Sequence, residues 1–215
     1  MRRRIIGKMY GVISSGKEAR VYWAKSPKGE DLAVKIYLTS TSEFRKSIYQ
    51  YILGDPRFEY IRKDTRELIY AWTRKEYKNL KRMYECGVRV PKPIFYMKNI
   101  LVMEFIGENG VRAPLLKEVS LSDEEYIRIF NKVIEYIKIL YRKAKLVHAD
   151  LSEYNIMIFK GEPVLIDVSQ AVLLDHPLAI EFLKRDIRNI VRYFRCELGL
   201  QVPSEEEIFK LVTSG

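Results

Sequence analysis

Asp150, Asn155 and Asp167 are three oxygen-bearing side chains set at short intervals, the first two five residues apart and the third twelve further on. Groups of this kind suit phosphoryl transfer from a nucleoside triphosphate. That reaction asks for a divalent cation on the phosphates, hard ligands for the cation and a group that orients the attacking hydroxyl. Asp150 would accept the hydroxyl's proton, Asn155 would offer an amide oxygen to Mg²⁺, and Asp167 a carboxylate to the bridging Mg²⁺. An isolated Asp-x-x-x-x-Asn is a weak signal, because both residues also cap helices and make turns. Its company gives it weight: His148-Ala149-Asp150-Leu151-Ser152-Glu153-Tyr154-Asn155 is followed by the apolar run Pro163-Val164-Leu165-Ile166 leading into Asp167.

Positioning these groups requires particular elements. Strands over 156–159 and 164–166, joined by a turn at Lys160-Gly161-Glu162-Pro163, would bring Asn155 and Asp167 side by side at one end of a hairpin. Upstream, 10–14, 19–25 and 31–37 read as a three-strand antiparallel meander. Its first turn, Ser14-x-Gly16-x-x-Ala19-x-Val21, with Lys17 and Glu18 between, has the form of a glycine-rich phosphate loop with Ser and Ala replacing two glycines. An ordinary hairpin turn is the competing reading. Lys35 stands on the third strand among apolar residues, where an amine is costly unless paired. A helix expected over 65–85, opened by Asp64 and stopped by Gly87, carries Ile69, Trp72, Leu80 and Met83 as its apolar stripe. Glu76 falls inside that stripe and is expected to pair with Lys35, a surface pairing with a neighbouring Lys being the alternative.

The stretch 38–63 is longer than a plain connection, and Thr39 to Ser42 reads as a phosphoacceptor cluster, a substrate-facing segment or simply a polar loop. Strands over 94–97 and 100–105 form a second hairpin, and Met103-Glu104-Phe105-Ile106 then reads as a linker. Its backbone groups would bond an adenine edge, with Met103 at the back of the pocket. Ser122-x-x-Glu125 opens a helix to about Lys143 with Tyr126, Phe130, Val133, Ile137 and Leu140 buried. Further helices are expected from Pro177 to Cys196 and after Ser204-x-x-Glu207. In the former, Asp186 would bond either the loop backbone near Asp150 or a nearby Arg, and Arg185, Arg188, Arg192 and Arg195 form a basic stripe, a solvated face or an RNA contact.

With 215 residues, 47% of them hydrophobic, the chain can bury a substantial core as two lobes of one unit or as two small domains. No apolar run approaches the roughly 20 residues that span a membrane, and the start lacks a signal-peptide core, so a cytoplasmic protein with neither membrane nor DNA among its partners is expected. It starts almost at the first strand, so any N-terminal domain is expected to be minimal or outside it. Cys86 and Cys196 have no paired spacing and read as small apolar residues, and His176 has no ligand partners in sight. A net charge of +10, from 38 basic and 28 acidic residues, favours polyanionic partners such as RNA or a ribosomal particle, or is a generic basic surface.

Taken together, Ser14-Ser15-Gly16-Lys17-Glu18-Ala19, the stretch His148 to Asn155, and Leu165-Ile166-Asp167-Val168-Ser169-Gln170-Ala171 resemble the RIO family of atypical protein kinases, and its Rio-one branch in particular, over nearly the whole chain. The resemblance implies an α+β, two-lobed, protein-kinase-like fold. A small antiparallel sheet and one long helix would occupy 1–105, and a reduced, mainly helical lobe 106–215. It implies Asp150 and Asp167 as catalytic residues, Asn155 and Asp167 as metal ligands, Lys35 as the phosphate lysine and Glu76 as its partner. ATP with Mg²⁺, or Mn²⁺ in its place, would be the cofactor. The implied activity is serine protein phosphorylation, including of itself at Thr39 to Ser42 or Ser47, and/or ATP hydrolysis, used in maturing the small ribosomal subunit with its rRNA. Departures from ordinary protein kinases are plain: Asp167 is followed by Val168-Ser169 in place of Phe-Gly, no Ala-Pro-Glu segment exists, and only 48 residues follow Asp167. Recognition of a peptide substrate is thereby left open. Two other readings remain, a small-molecule phosphotransferase of aminoglycoside-kinase type and a non-catalytic scaffold switched by ATP.

Overall fold

The computed structural model describes residues 5–38, 48–59 and 64–214, and divides the chain into two compact units. Thr39 to Ser42 and Ser47 lie outside the described residues. One unit comprises Met1–Lys81 and Pro91–Ala113, the other Arg82–Val90 and Pro114–Gly215. The later boundary falls after Ala113 rather than Phe105. A short hairpin of β6 (Gly107–Glu108) and β7 (Val111–Arg112) intervenes, and the Ala113 N–H bonds the Ile106 carbonyl at 2.9 Å.

The first unit is built on a five-stranded antiparallel sheet of β1 (Lys8–Ser15), β2 (Ala19–Lys25), β3 (Asp31–Tyr37), β4 (Pro93–Met97) and β5 (Ile100–Glu104), in the order β1-β2-β3-β5-β4. Strand β3 is central, and its residues are buried on both faces. Leu32 and Val34 pack with Ala24 and Val102 on one face, while Ala33, Lys35 and Tyr37 point to the other, as the two-residue period of a strand requires. The Thr65–Glu85 helix matches its expected bounds, and Ile69, Trp72, Leu80 and Met83 are buried as its stripe predicts. Asp55, Arg57 and Asn79 fasten residues 55–59 to this helix, Arg57 reaching the Asn79 amide oxygen at 2.8 Å.

The second unit is mainly helical. Ser122 and Glu125 form the expected reciprocal cap of the Asp123–Ile139 helix, which widens into a π-helical turn at Leu140–Ala144 instead of running on regularly to Lys143. The next helix starts at Ala179 rather than Pro177, because the Ala179 N–H closes a turn on His176 O and the His176 Nδ1 takes the Leu178 N–H. That helix too ends in a π-helical turn, Tyr193–Glu197, and the Glu205–Thr213 helix carries the expected Ser204/Glu207 cap. Phe130, Tyr126, Tyr193 and Phe194 meet edge to face in the core between them.

Two short ribbons complete this unit. Strands β9 (Ile156–Phe159) and β10 (Glu162–Leu165) are joined by only two residues, Lys160 and Gly161, both at positive φ (53° and 77°). Such a turn matches the twist of paired strands, so Glu162 and Pro163, expected in the turn, belong to the strand. Strands β8 (Leu146–Val147) and β11 (Val172–Leu173) pair antiparallel and bracket everything from His148 to Ala171. Among the described residues no helix is long and apolar enough to cross a membrane.

Candidate active site

In the first unit the buried cation finds its anion. The Lys35 Nζ lies 2.9 Å from Glu76 Oε1, with Lys35 8% and Glu76 1% exposed, so the surface pairing considered for Glu76 does not occur. Tyr37, two residues along β3 and hence on the same face, donates its hydroxyl to the other carboxylate oxygen of Glu76, and its ring centroid lies 5.1 Å from Lys35 Nζ. A buried ion pair of this kind adds little net stability but is costly to break from one side, so it fixes the ammonium at a defined place on the sheet.

The phosphate-loop candidates occupy the β1–β2 turn. Gly16, Lys17 and Glu18 form the turn itself, closed by Gly16 N–H to Ala19 O at 2.9 Å, whereas Ser14 and Val21 are paired across the strands and Ala19 opens β2. The Leu38 N–H bonds Glu18 O at 2.9 Å, which ties this turn to the end of the lysine strand. In the linker, Met103 sits in β5 opposite Ala33, the Glu104 N–H bonds Lys92 O, and the Phe105 N–H bonds Asp31 O. The adenine-edge role expected of Glu104 to Ile106 is therefore narrowed: of their three N–H groups, only that of Ile106 lacks a backbone partner among the described residues.

In the second unit the hairpin does what its sequence suggests. Leu165 pairs with Ile156, the Ile166 N–H bonds Asn155 O at 3.0 Å, and Asp167 follows at once. Asn155 turns its amide nitrogen to Asp150, 2.7 Å from the carbonyl and 3.2 Å from Oδ2, which directs its own Oδ1 away from Asp150. Asp167 is exposed, stands at φ 55°, and accepts the Ser169 hydroxyl at 3.2 Å. A non-glycine residue held left-handed costs roughly 1–2 kcal/mol, and Asp tolerates it better than most. His148 Nε2 donates to Ile166 O at 3.1 Å, and burial pushes the ring down to about 4 despite that bond and the nearby Asp167 charge. The ring is thus neutral and serves as a strut between the two ends of the site.

A polar face of the Ala179–Arg192 helix grips the loop backbone. Asp186 accepts the N–H groups of Ala149 (2.8 Å) and Leu151 (2.9 Å), Asn189 donates to Leu151 O (3.1 Å), and Arg185 donates to Ala149 O. Ala149 is held at φ 66° by these bonds. Burial pushes the Asp186 carboxyl up to about 7, opposed by the two N–H groups and Arg185 and reinforced by Asp150. The expected basic stripe is a solvated face whose arginines pair within the chain: Arg192 with Glu153 and Glu197, Arg188 with Glu205, while Arg195 bonds Val202 O. Tyr37 and Asn189 were not singled out in the sequence. The i+2 spacing from Lys35, and the i+4 spacing of Asn189 from Arg185, were the signals available.

The donor set fits a cation that keeps much of its water. Among the described residues no cluster of three His, Cys, Asp or Glu could hold a metal. Asn155 Oδ1 and the Asp167 carboxylate are hard oxygen donors, and Mg²⁺ completed by phosphates and water is the cation such a pair would hold. Cys196 is exposed and Cys86 half-buried, and neither belongs to such a cluster among the described residues.

Residues 20–207 match the RIO domain model. The serine/threonine-protein kinase RIO1 of Caenorhabditis elegans is 44% identical over 204 residues, 94% of this chain and 40% of that protein. The RIO-type serine/threonine-protein kinase Rio1 of Haloferax volcanii is 49% identical over 185 residues, 86% of this chain and 62% of that one. Among solved structures, the Rio2 kinase of Chaetomium thermophilum superposes with a TM-score of 0.72 at 25% identity, over 99% of this chain and 66% of that one. The chain therefore spans only 40% and 62% of the length of these two curated relatives, yet its own length is matched almost throughout, and it belongs to the RIO domain family.

Proposed function

We propose that this chain is the core of an ATP-dependent serine/threonine protein kinase of the RIO type. The observation that carries the proposal is the buried Lys35–Glu76 pair, since a lysine amine at 2.9 Å from a buried carboxylate is what an ATP α,β-phosphate ligand requires. The names of the curated relatives support the same reading. In it, Lys35 holds the phosphates and Glu76 holds Lys35. Gly16, Lys17 and Glu18 cover the nucleotide from the turn, with Ser14, Ala19 and Val21 beside them, and Met103 to Ile106 face the adenine. Asp150, oriented by Asn155, takes the proton of the acceptor hydroxyl, while Asn155 and Asp167 hold the divalent cation. Mg²⁺, with Mn²⁺ as a substitute, supplies neutralisation of the phosphate charge when bound. The acceptor is a serine of a protein, its own residues 39–42 and 47 among the candidates. The net charge of +10 supports work on an RNA-bearing particle, the maturing small ribosomal subunit.

The test is incubation with γ-labelled ATP and Mg²⁺, following label on protein and free phosphate for wild type, Asp150→Ala and Asp167→Ala. Label on protein that disappears in both variants supports the kinase, and loss of either group should lower turnover by about 10²-fold or more. Phosphate release without labelled protein points to an ATPase instead. Nucleotide binding with no turnover in any of the three proteins refutes the enzyme.

A further inference from the structure

We propose that Tyr37 is a positioning residue for the Lys35–Glu76 pair, its hydroxyl holding one oxygen of the Glu76 carboxylate so that the other is presented to the lysine. This rests on the kinase reading of that pair. Glu76 has two oxygens and a rotatable side chain. Lys35 Nζ takes Oε1 at 2.9 Å and Tyr37 takes Oε2, so the plane of the carboxylate is fixed from both sides. Tyr37 is 1% exposed and its ring lies 5.1 Å from the ammonium, which adds a second contact within the same trio.

The tyrosine is itself held at its backbone. Asn99, in the two-residue turn between β4 and β5, accepts the Tyr37 N–H at 2.9 Å through its carbonyl and donates its side-chain amide to Tyr37 O at 2.8 Å. The next residue, Leu38, bonds Glu18 in the phosphate-loop turn. A rigid donor is thus fixed to the sheet on one side, and Glu76 sits on the Thr65–Glu85 helix on the other, so the phenol bridges helix and sheet beside the lysine. A purely apolar residue would fill the space but would remove this donor from the buried oxygen and loosen the hold on the carboxylate beside Lys35.

The experiment compares wild type with Tyr37→Phe, which keeps the ring and removes only the hydroxyl, and with Tyr37→Leu, which removes both. Steady-state kinetics in ATP are measured alongside thermal midpoint and circular dichroism, each also in a Glu76→Gln background. The expected result is a fall in kcat for Tyr37→Phe on the order of 10-fold, with KM for ATP changed much less, and a larger fall for Tyr37→Leu. In the Glu76→Gln background, Tyr37→Phe should cost almost nothing further, because a residue acting through Glu76 has no separate path to the chemistry. A structural role alone would lower the thermal midpoint and give additive losses. Unchanged kcat in a folded Tyr37→Phe protein, or losses that add in the double variant, overturns the inference and leaves the kinase reading standing. A wild type that transfers no phosphate overturns the kinase reading, and this role with it.

Discussion

Replacing Asp186 by Asn should destabilise the second unit at pH 5, and the deficit should narrow steeply by pH 8. The Asp186 oxygens separately accept the Ala149 N–H at 2.8 Å and the Leu151 N–H at 2.9 Å, in a fully buried setting. An amide of the same shape keeps one acceptor and turns donors toward the other N–H, and a buried donor left unmet costs about 1–3 kcal/mol. The pH dependence follows from the carboxyl's titration at about 7, raised by burial from an ordinary 3.8. Between those values the folded chain keeps a proton that the unfolded chain has released. The group's contribution to stability is therefore complete below 3.8 and is lost as pH rises through about 7, at up to about 1.4 kcal/mol per unit. Asn has no such slope, so the difference should shift in favour of Asn by roughly 3 kcal/mol between pH 5 and pH 8, enough to abolish or invert a deficit of this size. His148 titrates in the same window, but it is present in both proteins and cancels from the difference. Urea unfolding should be followed by far-UV circular dichroism, because both tryptophans, Trp23 and Trp72, lie in the first unit. A deficit that is the same at both pH values, or larger at pH 8, refutes the reasoning.

The opposite slope should appear at His148. Its ring is pushed down to about 4 by burial, so its contribution is complete above 6.5 and is lost as pH falls through about 4. His148→Gln should therefore unfold with less acid sensitivity than wild type between pH 6.5 and 4.5, by up to about 1.4 kcal/mol per unit in urea titrations. Glu76→Gln removes one partner of a buried pair and should cost the first unit about 3–5 kcal/mol, read by tryptophan fluorescence in urea. Gly110→Ala should cost about 1–3 kcal/mol and shift the Trp23 emission. Gly110 stands at φ +80°, and an added Cβ would lie 2.7 Å from the indole ring.

What the sequence makes legible is what short-range chemistry decides. Strand alternation placed Lys35 on the face opposite Leu32 and Val34, the Ser-x-x-Glu boxes opened two helices at the expected residue, and Gly87 stopped the long helix where its stripe ended. The errors have short-range causes too. Pro163 reads as a turn residue because proline is depleted in strands, whereas in this two-stranded ribbon it pairs with Ile158. The imidazole of His176 delays the following helix by two residues, since it offers the Leu178 N–H an acceptor that sequence patterns do not register.

Less legible is the layer that holds Asp150, Asn155 and Asp167 in place. Asp186 meets the loop across 35 and 37 residues, Asn189 across 38, and Tyr37 reaches Glu76 across 39. The pattern offers Asp186 a choice between the loop backbone and a nearby Arg and leaves Asn189 and Tyr37 unmarked, because their value depends on which turn of a helix faces which backbone amide. The consequence is physical. Asp150, Asn155 and Asp167 lie on a loop and a two-stranded ribbon, elements with little rigidity of their own. The directions in which they point are set by Asp186, Arg185 and Asn189 on a packed helix and by His148 on Ile166. Substitutions in that supporting layer should accordingly alter the geometry of the proposed phosphoryl transfer without changing Asp150, Asn155 or Asp167.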